Sequence, residues 1–259
     1  MLVFAALIIN IKTDNMKSIK IVSAGLGLLL IMASCTKKAE PVLQISQDFT
    51  NATRVKLYNA VVNSTRNYLY IDGKAVNGAT IAYGATFPSA AYAFIVEPGL
   101  KSFVLKDTLV TSTQVPLTFS ENMQVNSLYS VFAYDTITSV KQKTVPTVIE
   151  IPTDTTARIR FANFGHSKTA VPAIDIYSIK RKANVFSNVS TNEVSSYIPY
   201  ASALSDTLVF RAAGTTTTLI QVNGFNPTQR RSYTLLLRGS YNPSAIAANK
   251  VTLSVHTDY

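Results

Sequence analysis

The sequence predicts an all-β protein: two tandem immunoglobulin-like antiparallel β-sandwich domains behind an N-terminal signal peptide. Three observations predict it. Tyr, Phe, Val, Ile and Thr are plentiful, Trp is absent and only 15% of residues are charged, a mixture that suits pleated, half-buried strands. Apolar and polar residues alternate over short runs bounded by turn residues. Four of those runs then recur, in the same order and at nearly one spacing.

The first element is the leader. From Met16, Lys17 and Lys20 give a short basic stretch, Ile21 to Met32 an apolar run, and Ala33-Ser34 small residues before Cys35. Positive charge, apolar run and small residues in that order mark a signal peptide over residues 1–34. The run is shorter than the roughly 20 residues a bilayer-spanning helix needs. A separate apolar run from Leu2 to Ile11 precedes it, broken by Lys12 and Asp14. Translation is therefore expected to start at Met16, with residues 1–15 an extension, or else at Met1 with a longer, two-part leader; neither changes the mature protein. Met32-Ala33-Ser34-Cys35 resembles the lipobox of bacterial lipoproteins, which implies that Cys35 becomes the lipidated first residue. The chain has one Cys, so no internal disulfide competes for it. The expected location is the bacterial outer membrane, with the facing side left open.

Residues 35–52 read as a polar, lipidated tether. Beyond them Arg54-Val55-Lys56-Leu57-Tyr58-Asn59 matches Arg158-Ile159-Arg160-Phe161-Ala162-Asn163, and Leu69-Tyr70-Ile71 matches Ile174-Asp175-Ile176. Phe103-Val104-Leu105 matches Leu208-Val209-Phe210, and Tyr129-Ser130-Val131 matches Tyr233-Thr234-Leu235. The offset is 104 (54 to 158, 129 to 233) or 105 (69 to 174, 103 to 208). Solenoid units repeat every 20–50 residues or so, so this longer period predicts whole domains with separate cores. We place them at 53–145 and 156–259, joined through a Thr- and Pro-containing stretch whose first half could still be a strand.

Within each copy the elements follow from alternation. Arg54, Lys56 and Tyr58 fall on one strand face and Val55 and Leu57 on the other, with Arg158 and Arg160 outside and Ile159 and Phe161 inside in the second copy. The recurring cations read as the polar face of an edge or outer strand. Asn59 and Asn163 read as strand-end residues bonding turn backbone. Leu69 to Ile71 runs into Asp72-Gly73, a hairpin signal. Later strands are expected at 91–96, 102–106, 115–119 and 128–134, then at 194–200, 207–211, 218–222, 233–238 and 251–256. About seven short strands per hundred residues is the pattern of an immunoglobulin-like sandwich. Neither copy carries the Cys-Trp-Cys core of antibody domains.

At Arg54 to Ala60, Leu69 to Lys74 and Ala82-Tyr83-Gly84, the first copy resembles the domain of unknown function 4397 (DUF4397). The likeness covers about Thr53 to Thr136; the second copy lacks the Asp-Gly turn and the Tyr-Gly pair. It implies a bacterial envelope protein with tandem sandwiches and implies no activity.

The formal charge is +10. Losing Lys12, Lys17, Lys20 and Asp14 with the leader would leave +8. The densest basic groups, Lys37-Lys38, Lys180-Arg181-Lys182 and Arg230-Arg231, are short and lack interleaved aromatics, so a nucleic-acid partner is not expected. His166 and His256 stand apart in sequence and no close Asp run appears, so neither a metal nor another cofactor is expected. No Gly-x-Ser-x-Gly elbow or phosphate-cradling loop occurs, and no catalytic residue is singled out. The expected role is non-catalytic: adhesion, or docking of a glycan or envelope protein. Tyr83, Tyr92, Tyr197 and Tyr200, near strand ends, form the candidate binding surface. The competing reading is an envelope hydrolase with an unrecognised pair of carboxylates.

Overall fold

Alternation at the start of each copy sets the architecture. A computed structural model describes residues 51–149, 151–167, 171–202, 205–242 and 245–259. The leader, Cys35 and most of the tether lie outside the described residues.

The first copy contains β1 (Thr53–Asn59), β2 (Asn67–Ile71), β3 (Lys74–Ala75), β4 (Thr86–Phe87), β5 (Phe94–Val96), β6 (Gly99–Asp107), β7 (Leu117–Met123), β8 (Leu128–Tyr134) and β9 (Lys141–Pro146). The second contains β10 (Ala157–His166), β11 (Ile174–Ser178), β12 (Ala183–Val189), β13 (Glu193–Val194), β14 (Ile198–Tyr200), β15 (Asp206–Ala212), β16 (Thr218–Phe225), β17 (Ser232–Ser240) and β18 (Thr252–Thr257). No α-helix occurs among the described residues, and none of their helices is long and apolar enough to cross a membrane. The protein is all-β.

Each copy is a sandwich of two sheets. In the first, β4-β1-β8-β9 with β5 also beside β1 faces β3-β2-β6-β7; in the second, β13-β10-β17-β18 with β14 beside β10 faces β12-β11-β15-β16. The order is the same strand for strand. Pairing is antiparallel except once per copy, where β1 runs parallel to β8 and β10 to β17. Arg54 pairs with Leu128 and Arg158 with Ser232, so both partners advance by the same 104 positions that the sequence shows. A parallel pair needs a crossover; here the intervening chain builds the opposite sheet and adds two short strands beside β1 or β10.

Local chemistry explains where the copies differ. Asp72 and Gly73 both adopt positive φ (49° and 79°) between the paired residues Ile71 and Lys74. That is the two-residue turn matching strand twist. Lacking Asp-Gly, the second copy closes β11 onto β12 between Ser178 and Ala183, with Lys182 at φ 52°. The strand expected over 194–200 is two pieces. Between them the Ser195 hydroxyl accepts from the Phe161 amide (2.9 Å), while the Ser195 amide still donates to the Phe161 carbonyl (2.8 Å).

Core-facing residues behave as alternation requires. Val55, Leu57, Leu69, Phe103, Leu105 and Val131 belong to the first core, and Ile159, Phe161, Ile176, Phe210, Leu235 and Leu237 to the second. The opposite faces overturn an expectation. Lys56 is only 4% exposed and Arg160 only 2%, and β1 and β10 have strands on both sides. Neither is an edge strand, and of the recurring cations only Arg54 is exposed.

Those faces pack on each other. Tyr58, Ala60 and Phe132 from the first copy join Ala162, Phe164 and Leu236 from the second in a third buried cluster. Tyr58 stacks on Phe132 (4.6 Å between centroids), Phe132 on Phe164 (4.9 Å), and Tyr134 leans on Phe164 (4.8 Å). Each such ring contributes about 1.5–3 kcal/mol by leaving water. The result is four sheets in layers, with the junction at the middle.

Asn59 and Asn163 do bond backbone, as expected, but from fully buried positions. Asn59 donates to the Ile81 carbonyl (3.1 Å) and accepts from the Val61 amide (3.1 Å); Asn163 donates to the Val189 carbonyl (3.0 Å). They fasten the strand end to the following loop.

Candidate binding site at the junction of the two sandwiches

The junction is apolar on one flank and charged on the other, because β1 and β10 place Lys56 and Arg160 where β8 and β17 place Ser130 and Thr234. Asp258, just after β18 and 3% exposed, is the carboxylate that serves them. Its oxygens lie 3.3 Å from the Lys56 ammonium and accept from the hydroxyls of Tyr58, Thr234 and Tyr197, the last at 2.8 Å. Arg160 donates to Thr234 (2.8 Å), Ser130 (2.7 Å), Thr147 (3.2 Å) and Tyr58 (3.3 Å). Its guanidinium lies 4.8 Å from the centre of the Tyr197 ring.

Burial governs the titration of this cluster. It holds the Lys56 ammonium below the usual lysine range, a pull that Asp258 opposes. Burial, then the Asp258 charge, pushes the Tyr58 hydroxyl well up. Tyr197 is pushed up by burial as well, so both phenols remain donors to the carboxylate. His256 on β18 is brought down to about 4 by burial and then by Lys56, against the opposing pull of Asp258. Its Nε2 has no hydrogen-bond partner and its ring meets Tyr58 edge-on at 5.6 Å.

A cleft opens on each side of the junction. The larger, about 570 Å³, runs from Lys56, Val255 and His256 past Tyr233 to Tyr92 and Arg231 at its rim. The smaller, about 330 Å³, lies over Arg158, Arg160, Ser195 and Tyr197. No Asp or Glu lines either one. The larger falls within the size range usual for small-ligand sites.

The four candidate tyrosines separate. Tyr92 is 42% exposed; Arg231 donates to its hydroxyl, and its ring lies 5.5 Å from that of Tyr259. Tyr83 faces the second copy, its ring 4.1 Å from the Arg238 guanidinium. That approach explains Gly84: at φ +81° a side chain is strained, and a Cβ would stand 2.5 Å from Arg238. Tyr197 is committed to Asp258 and Arg160. Tyr200 does not belong to a binding surface, being 2% exposed and bonded to the buried Asp206 inside the second core. Three of the four thus reach the junction, against arginines; Tyr92 lines the larger cleft and Tyr197 the smaller. The other cleft residues, Lys56, Arg231 and Tyr233, were not singled out in the sequence.

His166 ends β10 rather than lying in a loop, with Nδ1 3.1 Å from Asp135 across the junction. Among the described residues no group of three His, Cys, Asp or Glu side chains could hold a metal.

No protein-family model matches the chain, and no curated protein matches it. Among solved structures, it is similar to a family 26 carbohydrate-binding module from Eubacterium rectale in complex with maltoheptaose. That likeness has 11% identity and a TM-score of 0.25, and covers 79% of this chain and 96% of the other. It is also similar to a candidate cell adhesion protein from Bacteroides eggerthii (10% identity, TM-score 0.22, 80% and 96% covered). At those scores neither likeness bears on ligand or activity.

Proposed function

We propose that this chain is a lipid-anchored, non-catalytic binding protein of the bacterial envelope, built from tandem DUF4397-like sandwiches, and that it takes a saccharide in the larger junction cleft. The observation carrying this reading is the cleft's make-up. An exposed Tyr92 ring, held in place by Arg231 and Tyr259, shares the cleft lining with the hydroxyl-bearing residues Thr86, Ser89, Thr228 and Thr257. A half-exposed aromatic face offers apolar contact to the C–H face of a sugar ring, and hydroxyls pair with hydroxyls. A hydrolase of the paired-acid kind would need two facing carboxylates, which neither cleft supplies.

The test is retention of the detergent-solubilised, lipidated protein on an array of immobilised saccharides. Tyr92→Ala is expected to weaken capture about tenfold, as loss of an aromatic anchor does. Array-wide absence of capture, or capture indifferent to Tyr92→Ala, would overturn the proposal.

The anchor has its own test. Cys35→Ala is expected to move the protein from the membrane pellet to the soluble fraction with its circular dichroism unchanged, because the described residues of both sandwich cores begin at Val55. Persistence of that variant in salt-washed membranes would count against lipid attachment. Protease shaving of intact cells then tells which side of the outer membrane the sandwiches face.

A further inference from the structure

Resting on that reading, we infer that the saccharide taken by the larger cleft is acidic, bearing carboxylates of the uronic-acid kind. The lining supplies cations at both ends, Lys56 at the floor and Arg231 at the rim, with no Asp or Glu between them. Behind the floor, two buried cations, Lys56 and Arg160, face one carboxylate, Asp258. The hydroxyls of Tyr58, Thr234 and Tyr197 and the Lys56 ammonium already occupy that carboxylate. The wall therefore carries an excess of positive charge in a poorly solvated setting, where fields reach farther than in water.

The two cations have different duties. Lys56 donates to the Thr257 carbonyl and pairs with Asp258, so it contributes field rather than a direct contact. Arg231 is exposed and takes part in none of the ion pairs among the described residues. One of its nitrogens donates to Tyr92, which sets the guanidinium beside the ring, its central carbon 5.8 Å from the centroid. A sugar lying on Tyr92 would present a ring carboxylate to the remaining donors of that planar fork, the geometry a carboxylate accepts best. A neutral sugar could use the ring but would leave the guanidinium unanswered.

The experiment is calorimetric titration of the lipidated protein in non-ionic micelles with oligogalacturonate and with its fully methyl-esterified counterpart. The two probes share one sugar backbone and differ in charge. The acid is expected to bind about tenfold or more tightly than the ester, and to weaken steeply as salt rises from about 50 to about 500 mM, since such contacts are screened. Arg231→Gln, an exposed position whose variant should keep the wild-type near-ultraviolet spectrum, is expected to bring the acid down to the ester's affinity. Equal or tighter binding of the ester would overturn the acidic-ligand inference while leaving a saccharide site in place. Preference for the acid that survives Arg231→Gln would overturn the placement at this cleft. Failure of both probes, with no capture on the saccharide array, would overturn the function itself.

Discussion

Asp258→Ala is expected to destabilise the folded chain by about 3–5 kcal/mol, the range for removing one partner of a buried ion pair. The carboxylate is 3% exposed, and it answers Lys56 directly and Arg160 through Thr234 and Tyr58. Without it, two cations remain in the junction with only hydroxyls, the Thr257 carbonyl and aromatic faces around them, and three hydroxyls lose their acceptor. Lys56→Met removes a charge of the opposite sign and leaves Asp258 paired with three hydroxyl donors and near Arg160. That variant is expected to lose less than half as much. Urea denaturation at neutral pH, followed by far-ultraviolet circular dichroism, measures both. Equal losses would mean that the cluster is held by contact area and not by charge balance. Because Asp258 follows the last strand of the second copy while Lys56 and Tyr58 belong to the first, the loss should appear as one transition involving both sandwiches.

This cluster also marks where the sequence stopped being legible. The two cores could be read because alternation has a direct meaning: Val55 and Leu57, or Ile159 and Phe161, must share a face. The pairing of β1 with β8 was latent in the repeat, since both strands recur at the same offset. The assignment of Lys56 and Arg160 to solvent followed from the prior that charged side chains seldom bury. That prior fails when a second sheet covers the face and supplies partners, and those partners, Asp258 and Thr234, are remote in sequence. One signal pointed the other way. Leu128-Tyr129-Ser130-Val131-Phe132-Ala133-Tyr134 and Leu235-Leu236-Leu237 are nearly continuous apolar runs, as strands covered on both faces are. Phe132 and Leu236, on the supposed outer faces, are 0% exposed.

Two strands, one of them short, were missed for a related reason. β4 has two residues and ends at Phe87 before Pro88, and β12 follows the basic Lys180-Arg181-Lys182 turn; neither shows enough alternation to stand out from a loop. The tyrosines show the same limit at the site. Strand-end position brought attention to Tyr92 and Tyr200 alike, and it cannot distinguish a ring that lines a cleft from one whose hydroxyl is drawn inward by Asp206. Arg231 and Lys56 come to line one cleft only when the second copy is laid against the first.

Acid is expected to loosen the junction, and His256 supplies the reason. Its ring lies between Tyr58, Lys56, Arg238 and Asp258 and titrates at about 4 in the folded protein against 6.5 when unperturbed. Above about pH 6.5 the imidazole is neutral folded or unfolded, and its contribution is flat. As pH falls from there toward 4 the unfolded chain takes up a proton that the folded chain refuses, so stability is lost across that window and levels off below it. At about 1.4 kcal/mol per pH unit the loss totals about 3 kcal/mol. His256→Phe keeps an aromatic edge against Tyr58 and has nothing to titrate. Its stability profile, measured by urea denaturation from neutral pH down to about 4, should therefore run flatter than that of the native chain by this amount. Parallel profiles would show that the imidazole is not held neutral by its surroundings. Because His256 also lines the larger cleft, the folded protein gains its positive charge at the site only near pH 4, where the folded imidazole itself titrates. Over most of the stretch of pH in which stability is lost, His256 therefore adds nothing to the affinity for an acidic saccharide, a divergence that separates field from scaffold.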